Sequence, residues 1–369
     1  MMLAFLGIAF LIYGSLHLYA LGKVWGAVPH SAVAAVFLVS FGLLMTCSPL
    51  IIWSMGKQGW HGAASMISWV AYIWMGFLFL FCCMALVLDF SRVVIWLLGF
   101  KWPIGGPAAL LSIALPALAL TAYGLVEARQ IRVEKLNITT PKLSAGKITI
   151  AQISDLHLGP MLGDAFLDRV IDIVRETRPD IVVATGDILD GQGDDIDELS
   201  RHFQELKPRD GAYAVIGNHE AYAGLESSLG FFENAGFTVL RGEMVSADGI
   251  ILAGVDDPGT ALRGKEMTAQ TRKALALAHT NTFVVLLKHQ PVVAGDVPFD
   301  LQLSGHGHGG QIFPFGFLTR LVYGVRAGLY RYGDGRLLYV SRGAGTWGPP
   351  MRFLAPPEVT LITIQSETK

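Results

Sequence analysis

The chain has 369 residues, 52% of them hydrophobic and only 16% charged, with a formal net charge of −2 at pH 7 and a mean hydropathy of +0.47. That is too apolar for an ordinary soluble domain of this size. From Glu127 onward Lys and Arg number 24 against 29 Asp and Glu, which argues against nucleic acid as a partner, since phosphate-backbone binders need a basic face.

Charge is unevenly spread. Up to Val126 the only charged residues are Lys23, Lys57, Asp89, Arg92 and Lys101, so 5 of the 58 charged residues fall in the first third. Apolar runs extend over Met1 to Leu21, Ser31 to Trp53, Ala63 to Leu88 and Pro107 to Val126. Each reaches the roughly 20 residues that cross a bilayer core as a helix, so four spans are expected over residues 1–126. The first run lacks a basic leader and three more follow, which favours a retained span over a cleaved signal peptide. Val93 to Phe100 is too short to span and reads as an interfacial stretch, leaving room for a fifth, re-entrant element.

An even number of spans puts the N-terminus and the C-terminal domain on one side. Lys57, Arg129, Arg132 and Lys135 flank that side, against Lys23, Arg92 and Lys101 on the other. This tally leans towards an integral protein of the plasma (inner) membrane with a cytoplasmic C-terminal domain. Cys47, Cys82 and Cys83 all sit in apolar runs and read as buried apolar residues. A transporter is a poor reading of the spans, since their polar candidates are histidines such as His17 and no ionic pair is evident.

Residues 127–146 are charged and polar and read as a juxtamembrane connector. From residue 147 to 369 the pattern is that of an α/β domain. Strands are expected at Lys147 to Ile153, Ile181 to Thr185, Tyr213 to Ile216, Ile250 to Val255, Thr282 to Leu287, Leu301 to Ser304, Leu337 to Ser341 and Val359 to Ile364, with helical periodicity from Ala165 to Thr177.

Polar clusters stand at the ends of these strands: Ser154-Asp155-Leu156-His157, Gly186-Asp187, Gly217-Asn218-His219-Glu220, Lys288-His289-Gln290-Pro291, and Gly305-His306-Gly307-His308-Gly309-Gly310-Gln311. Open α/β sheets bind ligands at the carboxyl ends of their strands, so clusters spread over 150 residues can meet in one crevice. Carboxylates, imidazoles and one amide suit borderline first-row divalent metals, and no thiolate is present to suggest a structural zinc site. Asp155 and His157 are two residues apart, and on a loop both can turn to one ion; His306 and His308 repeat the device. Five of the seven histidines after residue 127 fall in these clusters.

Taken in order, D-x-H, G-D, G-N-H-E, H-Q-P and G-H-x-H-G-G-Q resemble the calcineurin-like metallophosphoesterase superfamily, over the chain from about Lys147 to its end. Ser341 to Gly345, Arg352-Phe353 and Pro356-Pro357-Glu358 also resemble its branch of membrane-associated bacterial phosphodiesterases, which includes transmembrane proteins with a metallophosphoesterase domain. The resemblance implies an αββα sandwich. It further implies that Asp155, His157 and His308 hold one divalent ion, that Asn218, His289 and His306 hold a second, and that Asp187 bridges them; the ions would be Mn²⁺, Zn²⁺ or Fe²⁺. Such a pair lies roughly 3.5 to 4 Å apart and supplies a bridging hydroxide as nucleophile. His219 would then donate a proton to the leaving oxygen. Glu220, where many members carry Asp, reads as a longer arm supporting His219.

Singly, these residues are turn formers, caps or satisfied polar groups, and only the ordered set argues for chemistry. Asp256 and Asp257 before Pro258 read as a turn; His17, His30, His61, His202 and His279 read as ordinary polar residues. Asp190 and Arg352 are candidates for the shell around the metals or for contact with substrate. Gly305, Gly307 and Gly310 satisfy G-x-G-x-x-G by accident, because Phe313-Pro314-Phe315-Gly316 breaks the helix a dinucleotide site needs. Neither a phosphate-binding G-x-x-x-x-G-K-[ST] loop nor a G-x-S-x-G elbow is present.

Phe317 to Arg331 interleaves Arg320, Arg326 and Arg331 with apolar residues, a mixture that suits a membrane surface or an amphiphilic substrate. The alternative is a surface loop whose apolar residues pack on the sandwich. Arg320, Arg326 and Arg352 are the substrate-contact candidates. The expected function is hydrolysis of a phosphodiester or pyrophosphate bond in a lipid-linked substrate, with a UDP-diacylglucosamine-like glycolipid precursor as the example the branch resemblance offers. The competing reading is an inactive membrane receptor or scaffold on the same fold, whose expected signature, loss of a ligand or of His219, is absent.

Overall fold

The computed structural model describes residues 2–143, 145–190, 196–260, 265–276, 281–295 and 297–367. His279, set aside above, lies outside them. The chain divides into two units, Met1–Val126 with Gly348–Met351, and Glu127–Trp347 with Arg352–Lys369.

The first unit consists of α1 (Met2–Trp25), α2 (Ala32–Lys57), α3 (His61–Leu97) and α4 (Gly106–Glu127). All four are long and apolar enough to cross a membrane. Side chains such as Leu11, Val33, Met66, Phe90 and Trp96 point outward, as they must on helices solvated by lipid. The stretch Val93 to Phe100 is not a separate element: α3 continues to Leu97, because the charges that seemed to delimit it do not break a helix. Nor are the spans free of ionic pairs. Lys23 Nζ lies 2.5 Å from Asp89 Oδ2, with the Tyr19 hydroxyl at 2.7 Å and Arg92 Nη1 3.6 Å from Asp89 Oδ1. Residues 66 positions apart meet there, beyond the reach of any local pattern. His17 is a satisfied polar group. Its Nε2 accepts from Trp74 Nε1 at 2.9 Å and its Nδ1 faces the Tyr13 carbonyl at 3.0 Å.

The second unit begins with β1 (Arg132–Thr140) and β2 (Lys147–Ile153), then α5 (Asp164–Thr177), β3 (Ile181–Ala184), α6 (Ile196–Phe203), β4 (Ala212–Ala214), α7 (Asn218–Ala223), α8 (Leu225–Asn234) and β5 (Thr238–Val239). It continues with β6 (Glu243–Ala247), β7 (Ile250–Gly254), α9 (Lys265–Leu275), β8 (Phe283–Leu287), β9 (Leu301–Ser304), α10 (Gly316–Tyr323), β10 (Gly328–Arg331), β11 (Leu337–Val340) and β12 (Glu358–Ser366). One six-stranded sheet runs β1-β12-β2-β3-β4-β5 and the other β10-β11-β9-β8-β7-β6.

The layers follow from the strands' period of two. Ile148, Ile150, Ile181 and Val183 of the first sheet share one core with Ile250, Leu252, Val285, Leu287 and Leu301 of the second. Their alternates Ala151, Ile153, Val182 and Ala184 pack on Phe166, Leu167, Val170 and Val174 of α5, while Ile251, Ala253, Val284 and Leu286 pack on Ala274 and Leu275 of α9. Strands covered on both faces read as continuous apolar runs, and these do. The result is the αββα sandwich. Within the expected connector lies β1, paired in parallel with β12. Only Leu136, Ile138 and Thr140 of β1 are buried, so its other face stays wet and charged, and composition alone hides it.

Candidate metal centre

Because β2, β3 and β4 are parallel neighbours, their carboxyl ends lie along one edge of the first sheet; β7, β8 and β9 do the same in the second. Asp155 and His157 follow β2, Asp187 follows β3, Asn218 and His219 open α7 just after β4, His289 follows β8, and His306 and His308 follow β9. Five of these residues are held at positive φ: Asp155 at 53°, His157 at 50°, Asp187 at 52°, His306 at 70° and His308 at 47°. An L-residue there costs about 1–2 kcal/mol, a strain that gathers at functional sites. Close packing of the loops demands glycine between them. A Cβ on Gly305 would meet Ser154 Oγ at 2.0 Å and Asp155 Oδ2 at 2.2 Å, and one on Gly217 would meet Asp187 Oδ1 at 2.2 Å.

The donor atoms fall into overlapping sets, each within 4.8 Å: Asp155, His157 and His308; Asp187, His289 and His306; and His157, Asp187 and His219. In the first, His157 Nε2 and His308 Nε2 face each other at 2.9 Å, and His308 Nε2 is 3.6 Å from Asp155 Oδ1. In the second, His289 Nε2 lies 3.0 Å from Asp187 Oδ2 and 3.1 Å from His306 Nδ1. The far nitrogen of His289 donates to the Thr185 carbonyl at 2.8 Å, which turns Nε2 inward. Asn218 Oδ1 is buried with no hydrogen-bond partner among the described residues. Such an acceptor is costly unless a cation or donor meets it. Four imidazoles, two carboxylates and this amide oxygen therefore fit a pair of borderline divalent ions.

Electrostatics divide the imidazoles into proton holders and proton losers. Burial works against the cationic form of His289, but Asp187 and Asp155 outweigh it and hold its pKa well above the usual value. Burial, reinforced by neighbouring imidazoles, drives His306 down to about 3 and His308 well below its ordinary range. Burial also opposes the Asp187 carboxylate, yet His289, His157 and His219 keep its pKa below normal. For Asp155 burial wins and its pKa rises. His219 is lifted to about 9, since Asp190 and Asp187 overcome burial.

Glu220 does not support His219 as expected. Its carboxylate accepts from the backbone amides of Asp187 (2.9 Å), Ile188 (2.6 Å), Leu189 (3.0 Å) and Gly217 (2.8 Å), so the longer arm braces the loop that carries Asp187. The partner of His219 is Asp190, whose Oδ1 lies 3.3 Å from His219 Nδ1 and 3.5 Å from His157 Nδ1. Arg352 is not at a substrate surface either. It is fully buried, with Nη1 donating to the carbonyls of His308 (3.0 Å), Arg342 (2.8 Å) and Ala355 (3.2 Å), a brace beneath the His308 loop. Arg320 and Arg326 are exposed. Asp256 is paired with Arg241 at 2.9 Å, and Asp257 accepts the Gly259 amide at 2.7 Å where a 3-10 turn begins.

Three aromatic residues at the site carried no sequence signal. Tyr323 places its hydroxyl 2.7 Å from His306 Nε2. Trp347 and Tyr222 flank His219, with ring centroids at 5.7 and 5.8 Å, and both are largely exposed. A helix also follows the glycine-rich loop, starting six residues beyond Gly310, because Pro314 precedes α10 and does not interrupt it.

The sequence pattern of calcineurin-like phosphoesterases matches residues 148–310. An uncharacterised metallophosphoesterase of Aquifex aeolicus is 41% identical over 256 residues, 68% of this chain and 98% of that protein. The chain belongs to the calcineurin-like phosphoesterase family. A transmembrane protein with metallophosphoesterase domain from Bos taurus is 31% identical over 330 residues, covering 82% of this chain and 74% of its own length. A dimetal phosphatase structure from Danio rerio matches 53% of this chain and 88% of its own at 14% identity, with a TM-score of 0.35, too slight a likeness to carry any argument. This phosphoesterase is therefore a metal-dependent phosphoester hydrolase associated with membranes.

Proposed function

We propose that this phosphoesterase hydrolyses a phosphodiester or pyrophosphate bond in a lipid-linked substrate. In this reading Asp155, His157 and His308 hold one divalent ion, Asn218, His289 and His306 hold the other, Asp187 bridges them, and the domain after residue 127 faces the cytoplasm at the inner membrane. Two such ions supply charge neutralisation at the phosphoryl group and acidify the attacking water. His219 protonates the leaving oxygen: Asp190 engages its Nδ1 at 3.3 Å, which leaves Nε2 to donate. Arg320 and Arg326 meet acidic headgroups.

The observation that carries the lipid part is the inverted burial of α10. Gly316, Thr319 and Tyr323 face inward, while Phe317, Leu318, Leu321 and Val322 are exposed, with Phe313 and Phe315 just before them. Leu321 and Val322 are the most open of them, at 81% and 71% exposure. An amphipathic helix normally buries its apolar stripe. Here that stripe lies in the open on the helix that also reaches His306, and between Gln311 and Gly333 there are three arginines and no acidic residue. Contiguous exposed apolar surface beside a catalytic pocket marks a binding face, and basic flanks suit anionic lipid.

The test compares a lipid phosphoester in vesicles with a small soluble diester, for the full chain and for Leu321→Glu with Val322→Glu. Burying an aliphatic side chain is worth about 1.5–3 kcal/mol, so the double variant should lose on the order of tenfold or more on the lipid while its soluble rate holds. Parallel loss on both substrates, or none on the lipid, sinks the lipid reading.

A further inference from the structure

Tyr323 closes α10, and its ring stands edge-on to His306, with centroids 5.4 Å apart at 88°. The phenolic oxygen lies 2.7 Å from His306 Nε2, while His306 Nδ1 points at His289 Nε2, 3.1 Å away. The two nitrogens therefore divide their tasks. If Nδ1 turns a lone pair towards the second ion, Nε2 must carry the hydrogen, and it donates to the phenol. That bond uses a lone pair on the Tyr323 oxygen and leaves its own O–H proton with no acceptor among the described residues. Tyr323 is half-buried, with its hydroxyl beside the metal ligands. Its place in the sequence is set by the inverted helix: it lies seven residues after buried Gly316 and four after Thr319, on the one face of α10 that turns inward.

We propose that Tyr323 is a further catalytic residue, whose oxygen accepts the Nε2–H of His306 and so aims Nδ1 at the second ion, and whose own O–H donates to a phosphoryl oxygen of the substrate. The proposal rests on the two-ion reading above. It also ties α10 to the metal site through the Tyr323 hydroxyl. A phenol that accepts a hydrogen bond from a metal-directed imidazole becomes a better donor in turn, since hydrogen bonds in a chain polarise one another. No bond to Tyr323 forms or breaks, and its proton stays on the phenol throughout.

The test is Tyr323→Phe in the full chain, a change that keeps the ring and its packing and removes only the oxygen. Metal affinity is read without turnover, by competing Zn²⁺ or Mn²⁺ against a chromophoric chelator. Loss of such a supporting hydrogen bond should weaken one of the two sites roughly 10–100-fold and leave the other unchanged. On a soluble diester, with both ions saturating, kcat should fall by roughly 10²-fold with little change in KM, as for removal of a donor that acts on developing charge. Wild-type affinity at both sites of the variant, or an unchanged kcat at saturating metal, overturns the proposal. A wild-type chain that binds fewer than two ions would instead strike the reading on which it rests.

Discussion

At His219 the chain sets an imidazole between two demands. It is close enough to the ligands for His157, Asp187 and His219 to form a third donor set, yet its Nδ1 is engaged by Asp190. A ligand would lose its ion on removal, whereas a proton donor would not. His219→Ala is accordingly expected to keep two ions and lose about 10²–10⁴ in rate, with poor leaving groups suffering most because a p-nitrophenolate needs little protonation. Metal analysis together with rates across leaving groups checks this, and an equal loss for all of them removes His219 from the role. Residues whose chemistry is rare in a core, such as Asp155, Asp187 and the four imidazoles, were legible in the sequence because they interrupt apolar strands at their ends. Tyr323, Trp347 and Tyr222 were not, since an aromatic residue at the site looks no different from one in the core. For Arg352 the sequence left both the shell around the metals and substrate contact open, and only burial decides between them, because backbone carbonyls consume its donors.

Among the elements, the strands buried on both faces were the most readable, from β2 and β3 to β7, β8 and β9, because an apolar run of four to seven residues has few other uses. The edge strand β1 was invisible among its charges, and the two-residue β5 is too short to leave a pattern. The crossing of loops between sheets was equally hidden, although it governs the site. Gly305 follows β9 of one sheet, and its Cα sits against Ser154 and Asp155, which follow β2 of the other. Gly305→Ala places a methyl group 2.0–2.2 Å from those side chains, closer than any real contact, and one loop must yield. Overpacking of this kind costs about 1–3 kcal/mol. The expected outcome is a folded chain of lower thermal stability that binds one ion more weakly, read by calorimetry and metal titration. Unchanged affinity for both ions would mean that the loops separate more easily than their packing implies.

At the scale of the whole chain, two solvents explain two compositions. The first unit presents large apolar side chains outward on four helices, and the second hides its own between two sheets. That division was plain in the distribution of charge, and the order of the five polar clusters disclosed the family. The pairing of Lys23 with Asp89 and the exposure of the α10 stripe depend on residues brought together by the fold, so neither could be read from the sequence. The account's central claim is that the strand-end clusters form one two-ion hydrolytic centre. Its most direct test strips the full chain with a chelator, titrates Mn²⁺, Zn²⁺ or Fe²⁺ back, and follows bound metal and hydrolysis of bis(p-nitrophenyl) phosphate in the same samples. The account predicts that turnover vanishes on chelation and returns as the second equivalent of metal binds; turnover that survives chelation, or that a single bound ion fully restores, would contradict it.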